Sequence, residues 1–267
     1  MDPDPPAKAP VRRKRTKPLR LLHFTDPHLY GDAGGRLRGV NTLDSLKGCV
    51  AHARQHHFPA DAVLLTGDLV HDDARGYGHF PSVFDALRAP VHVLAGNHDL
   101  PREMQLRLAS RPFDLAPIVR YRDWVIFLLD SVVPGATHGH LGDETLAFVD
   151  EGLARHSDAH ALVCVHHHPV PMGSEWIDGI GIDNAGRLLE VLDRHDNVRG
   201  LLWGHVHQAS DGMRENVTMM STPSTCVQFL PASDEFAIDE RPPGYRWLHL
   251  YPDGRIDTRV EWVEPES

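Results

Sequence analysis

Cysteine is scarce in this chain. Cys49, Cys164 and Cys226 are the only three among 267 residues, and no two are spaced C-x-x-C. That excludes a disulfide framework and a thiolate zinc site, and it fits a reducing compartment. Long apolar runs are missing too: none approaches the roughly 20 residues of a membrane span, so no membrane partner is expected. After residue 20 there is no internal repeat and no linker rich in Pro, Gly or Ser. At 41% hydrophobic residues, the chain can bury a sizeable core as one α/β unit. Basic charge is short everywhere except at the start. The first twenty residues hold seven basic and two acidic side chains, and the remainder holds 20 basic and 35 acidic, a net of −15. Such a body repels a polyanion, which argues against nucleic acid as the main substrate. Leu19 to Phe24 is too short and too polar for a signal-peptide core, so a cytoplasmic protein is expected. Residues 1–18 read as a disordered basic tail, and 19–267 as a single domain closed by a hairpin.

Within that domain, apolar runs at Leu19–Thr25, Ala62–Thr66, Val91–Ala95, Val125–Leu129, Ala161–Val165 and Val198–Trp203 predict buried strands. Helical stripes lie between them. Asn41 is a fitting N-cap for a helix carrying Leu43, Leu46, Val50 and Ala53. Asp143–His156 and Asn184–His195 repeat the pattern. Strand, polar loop, helix, strand is the signature of an α/β fold with its working loops beyond the strand ends. Arg246–Tyr251 and Arg255–Val263, joined at Asp253-Gly254, predict the terminal hairpin. A further strand in Met213–Phe229 makes a second sheet the expectation.

What the chain does have is metal-ligand chemistry at the ends of those strands. Five islands follow apolar runs: Asp26-Pro27-His28, Gly67-Asp68, Gly96-Asn97-His98-Asp99, His166-His167-His168-Pro169 and Trp203-Gly204-His205-Val206-His207. Carboxylates, imidazoles and a carboxamide gathered along one edge suit divalent cations. In extended chain, residues two apart share a face, so Asp26 with His28, and His205 with His207, are expected to converge by alternation. Alternation does not choose among His166, His167 and His168. The other 13 of the 20 histidines, such as His56, His57 and His160, read as surface or packing residues.

The order of the islands resembles that of the calcineurin-like metallophosphoesterases. Gly39-Val40-Asn41-Thr42, Gly204-His205-Val206-His207-Gln208, the segment Thr222 to Phe229 and Pro243-Gly244-Tyr245-Arg246 are similar to the bacterial class III cyclic 3',5'-AMP phosphodiesterases within them. The match runs from about Leu19 to about Val263. The resemblance implies a four-layer αββα sandwich, two mixed β-sheets packed face to face and flanked by helices. It implies two divalent metal ions per chain, iron or manganese first, with zinc, cobalt or nickel compatible. Asp26, His28 and His207 would hold one metal and Asn97, His166 and His205 the other, with Asp68 bridging. His166, the first of its triplet, is taken as the ligand. His98 would be catalytic with Asp99 orienting it, and His28, Asn97, His98 and His207 would contact the substrate phosphate. Two such cations lower the pKa of a shared water toward neutrality and offset charge in an in-line displacement. The implied reaction is the opening of cyclic AMP, a small-molecule cyclic nucleotide, to 5'-AMP. A broader nucleotide phosphodiesterase or phosphatase of the same superfamily is the alternative, and some relatives suggest a homodimer.

Overall fold

The computed structural model describes residues 17–264, so most of the expected basic tail lies outside the described residues. The first strand begins at Leu19. Two six-stranded sheets form the frame. One runs in the order Ile256–Trp262, Gly244–Leu250, Leu19–Phe24, Ala62–Thr66, Val91–Leu94 and Phe113–Asp114. The other runs Ser210–Arg214, Val217–Ser221, Val198–Trp203, His160–Val165, Trp124–Leu129 and Ile118–Tyr121. Both are mixed: parallel at the centre, with antiparallel strands toward the hairpin edges.

Alternation along the central strands sorts side chains into three apolar layers. Leu19, Leu21, Leu64, Ile126, Leu128, Leu162 and Cys164 point between the sheets. Leu22, Phe24, Val63 and Leu65 face the helix Thr42–His56 and the segment around Tyr77 to Phe84. Val125, Phe127, Val163 and Val165 face the helices Asp143–Arg155 and Ala185–Asp193. Helix, sheet, sheet, helix is the expected four-layer order. Asn41 caps the first long helix as its sequence position predicted, its side chain accepting from Asp44 N at 2.9 Å.

Polar groups interrupt the inter-sheet layer, Arg246 and His23 foremost. Arg246 is fully buried and donates to Ser221 O (2.7 Å), Ser210 O (3.2 Å) and the Asp211 carboxylate (2.7 Å), so it ties the hairpin strand of one sheet to the edge of the other. His23 is equally buried and touches Thr222 Oγ1 and Thr66 Oγ1, each at 2.6 Å. The hairpin Ser210–Arg214 with Val217–Ser221 was only partly expected: the sequence pattern gave one strand within Met213–Phe229. Its first strand is mostly exposed, and so lacks the apolar alternation that marks a strand.

Candidate metal centre

The five islands do meet. Each follows a parallel strand, and parallel strands put their C-terminal ends on one edge. Asp26 and His28 follow Leu19–Phe24, Asp68 follows Ala62–Thr66, and Asn97 and His98 follow Val91–Leu94. From the second sheet, His166 follows His160–Val165, and His205 and His207 follow Val198–Trp203. All but Asn97 and His98 are buried.

Convergence is not by alternation, however, and that expectation is corrected. Asp26 (φ 53°), His28 (φ 47°), Asp68 (φ 48°), His205 (φ 66°) and His207 (φ 48°) all lie in the left-handed region. Asp and His tolerate it better than most residues, but each such residue costs on the order of 1–3 kcal/mol. The loops hold one another in place. Asp26 N donates to Gly67 O at 3.1 Å and His28 N to Asp68 O at 2.9 Å, while His205 N donates to Asp26 Oδ2 at 3.0 Å. Two glycines permit the close approach. A Cβ on Gly96 would run into Asp68 N and Oδ1, and one on Gly204 into Thr25 Oγ1 and Asp26 Oδ2.

The hydrogen bonds fix which ring nitrogens face inward. His166 Nδ1 donates to Thr66 O (2.9 Å), His207 Nδ1 to Val227 O (2.7 Å) and His205 Nε2 to Ile180 O (3.1 Å). A carbonyl only accepts, so one proton of each ring is fixed there and His166 Nε2, His207 Nε2 and His205 Nδ1 are the nitrogens turned inward, the arrangement seen around metal-bound imidazole. Two of the three face other acceptors. His166 Nε2 lies 3.4 Å from Asp68 Oδ1 and 3.3 Å from Asn97 Oδ1. His207 Nε2 lies 3.1 Å from His28 Nε2 and 3.4 Å from Asp26 Oδ1. Asp68 Oδ2 is 3.6 Å from His28 Nε2, so this carboxylate turns one oxygen to each group. Metal bonds of about 2.1 Å at tetrahedral angles set neighbouring ligand atoms about 3.4 Å apart. Acceptors crowded at that spacing repel unless a cation stands among them, so the donor set fits the expected metals.

Charge tells the same story. Burial opposes ionisation of Asp26 and Asp68, yet His207 and His166 beside them hold both below the usual carboxylate range. For His166, burial is outweighed by the two aspartates, and its pKa rises to about 9. Burial pushes His28 down to about 3 and His205 well down as well, which keeps both imidazoles neutral, the form that could ligate a cation. A cation at this edge would take the place of the proton on His166.

One expected role moves. Asp99 does not touch the His98 ring. It is buried and accepts from Gly96 N (2.8 Å), Leu69 N (3.1 Å), Val70 N (3.3 Å) and Tyr77 Oη (2.8 Å), which braces the turn. Burial and the neighbouring Asp68 charge push its pKa up to about 7. The carboxylate on His98 is that of Asp72, 3.0 Å from Nδ1. Asp72 escaped the sequence reading, as did His71, whose Nδ1 lies 3.1 Å from His28 Nδ1 and whose ring stacks on His98 at 4.5 Å. The signal was their place four and three residues past Asp68, in an otherwise ordinary polar turn. Of the triplet, His166 faces Asp68; His167 turns to Ser131 Oγ at 2.7 Å, and His168 lies 3.8 Å from Asp178. His205 groups with His166 and His167.

The segment Thr222 to Phe229 buttresses the site from behind. Ser224 Oγ donates to Asp26 O at 2.7 Å, Val227 O receives His207, and Phe229 stacks on the His207 ring at 4.1 Å. Ser224 and Thr225 are buried, so this motif supports Asp26 and His207 from behind.

A model of the calcineurin-like phosphoesterase family matches residues 19–209. The chain is 39% identical to the 3',5'-cyclic adenosine monophosphate phosphodiesterase CpdA of Pseudomonas aeruginosa, over 91% of this chain and 90% of that one. It is 38% identical to the protein of the same name from Escherichia coli K12, over 91% and 89%. A dimetal phosphatase from Danio rerio shares the fold at TM-score 0.62 and 15% identity, covering 93% of this chain and all of that one. Alignment along nine-tenths of the chain, with ligand islands at every expected strand end, settles the lineage: the chain belongs to the calcineurin-like phosphoesterase family.

Proposed function

We propose that this protein is a cytoplasmic, metal-dependent phosphodiesterase that opens 3',5'-cyclic AMP to 5'-AMP. The observation that carries the reading is the set of three histidines whose outer nitrogen is held by a backbone carbonyl, with His166 Nε2 and His207 Nε2 turned to carboxylate or carboxamide oxygen and His205 grouped with the imidazoles of His166 and His167. The substrate rests on the two relatives named for that activity. Two divalent cations would occupy the edge, iron or manganese foremost among those the N/O donor set accepts. Asp26, His28 and His207 would hold the first and Asn97, His166 and His205 the second, with Asp68 shared between them. When bound, such a pair polarises phosphoryl oxygens and activates water.

The chain's own residues do the rest. His28, Asn97, His98 and His207 surround the position of the phosphate. His98 is half-exposed at the mouth, and its Nδ1 proton goes to Asp72, which leaves Nε2 for the substrate. For His98 to act as the acid it must enter the step as the imidazolium, with Nδ1–H on Asp72. As the P–O3' bond breaks it gives its Nε2 proton to the leaving 3'-oxygen and is left neutral, a step that a positioned proton donor accelerates by roughly 10²–10⁴-fold. Asp99 and Tyr77 keep the Gly96–His98 turn in register for it. The acidic body favours a small nucleotide over a polymer.

The test is product analysis of purified, metal-loaded protein on cyclic AMP, cyclic GMP, a 2',3'-cyclic nucleotide, a linear diester and a phosphomonoester. Cyclic AMP should give 5'-AMP, with activity lost to chelator and restored by Mn²⁺ or Fe²⁺. A kcat/KM for cyclic AMP a hundredfold below that for a linear diester or monoester would replace this reading with a broader hydrolase.

A further inference from the structure

The phosphate has its place in the proposed function, but the base has none. On the far side of His207 the polar edge gives way to aromatic rings. Phe229 lies against His207, centroids 4.1 Å apart and planes within 6°. Trp176 meets Phe229 edge-on at 5.3 Å, and Phe236 closes a triangle with both, at 5.2 and 5.4 Å. Over Phe236 stands the Arg38 guanidinium, 5.0 Å from the ring centre. Phe236 is 46% exposed, and Leu230 and Ile238 beside it are exposed too. A contiguous apolar patch at the rim of a site is a recurrent sign of ligand binding.

This wall is built, not loose. Ser233 N donates to Ser174 Oγ at 3.1 Å, Leu230 N to Ala237 O at 2.9 Å and Phe229 N to His207 O at 3.3 Å. The loop from Leu230 to Ile238 is therefore fastened both to the segment before Trp176 and to a residue of the metal edge. Two ring contacts separate His207 from Phe236, about the reach from a nucleotide's phosphate to its base. The Arg38 guanidinium now covers that face of Phe236, so a planar base would enter by displacing this exposed side chain outward. It would then have an aromatic ring on one face and a guanidinium plane on the other, the usual way proteins hold an unstacked base.

We propose that Phe236 and Arg38, backed by Trp176 and Phe229, form the subsite for the nucleobase of the substrate. The inference rests on the cyclic-nucleotide reading above. Stacking recognises a π-face and no particular hydrogen-bond edge, so this subsite favours nucleotides over base-free diesters while discriminating weakly among bases. Because the rings are remote from the scissile bond, they contribute mainly to binding, and their loss appears in KM more than in kcat.

The experiment compares metal-loaded wild type with Phe236→Ala, Phe236→Tyr and Arg38→Ala on cyclic AMP and on ribose 3',5'-cyclic phosphate, which has no base. Phe236→Ala should raise KM for cyclic AMP about tenfold, the scale of one lost base–aromatic stack. The preference for cyclic AMP over the base-free compound should fall by the same factor, and Phe236→Tyr should restore it. Phe236 lies at the surface, so the alanine variant should fold. An unchanged KM, or an equal loss on both substrates, overturns the proposal. So does a rise in KM for Phe148→Ala without one for Phe236→Ala, because Phe148 lines the other hollow near the strand ends, a cavity of about 340 Å³ with Leu94, Met104 and Leu128. Wild type that turns over neither cyclic compound would instead sink the underlying reading, and this inference with it.

Discussion

His23 and the histidines of the candidate metal centre are buried in the same sandwich, yet their hydrogen bonding is opposite. Both ring nitrogens of His23 are satisfied at 2.6 Å by the hydroxyls of Thr222 and Thr66. One assignment of protons serves the whole chain of groups: Thr222 donates to His23, His23 to Thr66, Thr66 to Thr25 (3.1 Å), and Thr25 to Asp26 Oδ2 (2.6 Å). His166, His205 and His207 each have one nitrogen tied to a carbonyl and the other turned toward acceptors or neighbouring imidazoles. Burial alone does not separate a structural imidazole from a ligand. What separates them is where the second nitrogen points: those of His166 and His207 face the Asp26 and Asp68 carboxylates, whereas His167 and His168 also leave a ring nitrogen without a partner but turn to Ser131 and Asp178.

The largest break in this contrast should come from Asp68, the carboxylate shared by both groups. Asp68→Ala removes the bridge and leaves buried imidazoles facing one another. We expect kcat/KM to fall about 10⁴-fold or more, the combined scale of Lewis-acid and positioning effects. Elemental analysis should drop from about two metal equivalents per chain toward none. A variant that retains both metals and most activity would show that the bridge lies elsewhere.

His98 is next. In the proposed arrangement it belongs to the site but not to the ligand set, so His98→Ala should lower kcat by roughly 10²–10⁴-fold with metal content held. If metal leaves as well, His98 is a ligand and its role here is misassigned. Asp72→Asn sharpens the same point at a smaller scale. The Asp72 side chain is 66% exposed, and exposed ion pairs contribute little, so a loss of about tenfold in kcat is expected, far below that of removing His98. Asp99→Asn tests the corrected role. It should act on the stability of the Gly96–His98 turn, read as a lowered Tm, because its four donors lie in the backbone and Tyr77 and not on the His98 ring.

Much of this was legible in the sequence, for identifiable reasons. The strands at Ala62–Thr66 and Val198–Trp203 match the sequence expectation to the residue, because short, largely apolar runs of five and six residues between polar loops are too brief for helices. The islands were legible because Asp, Asn and His cluster there beside glycine. The backbone that brings them together was not. Period-two alternation predicted how Asp26 and His28 converge, and left-handed φ values do the work instead. Those angles arise from contacts between loops about 40 residues apart, such as His28 N to Asp68 O, which no local pattern carries. The same limit hid Asp72: its bond to His98 spans 26 residues and leaves no periodic trace. His23 was taken for part of a strand, and only its two threonine partners, 43 and 199 residues away, mark it as a polar lock.

The smallest effect tests that lock directly. Burial, reinforced by the Arg246 charge and opposed by Asp26, lowers the pKa of His23 from its ordinary 6.5 to about 3. Its contribution to stability is therefore complete above about pH 6.5. As the pH falls toward 3, the unfolded chain takes up a proton that the folded one refuses, and that contribution is progressively lost. Other buried histidines, His168 with a pKa lowered to about 4 among them, act in the same direction, so the wild-type slope reports several groups at once. The difference between wild type and His23→Gln isolates one. Glutamine keeps a donor and an acceptor near Thr66 and Thr222 but does not titrate. Unfolding free energies measured by denaturant from pH 6.5 to 4 at fixed metal should fall less steeply in the variant, by up to one proton or about 1.4 kcal/mol per pH unit. Parallel slopes would mean that His23 accepts its proton inside the fold. The chain of hydroxyls running to Asp26 would then need a different proton assignment, and the contrast between satisfied and aimed histidines would lose its clearest member.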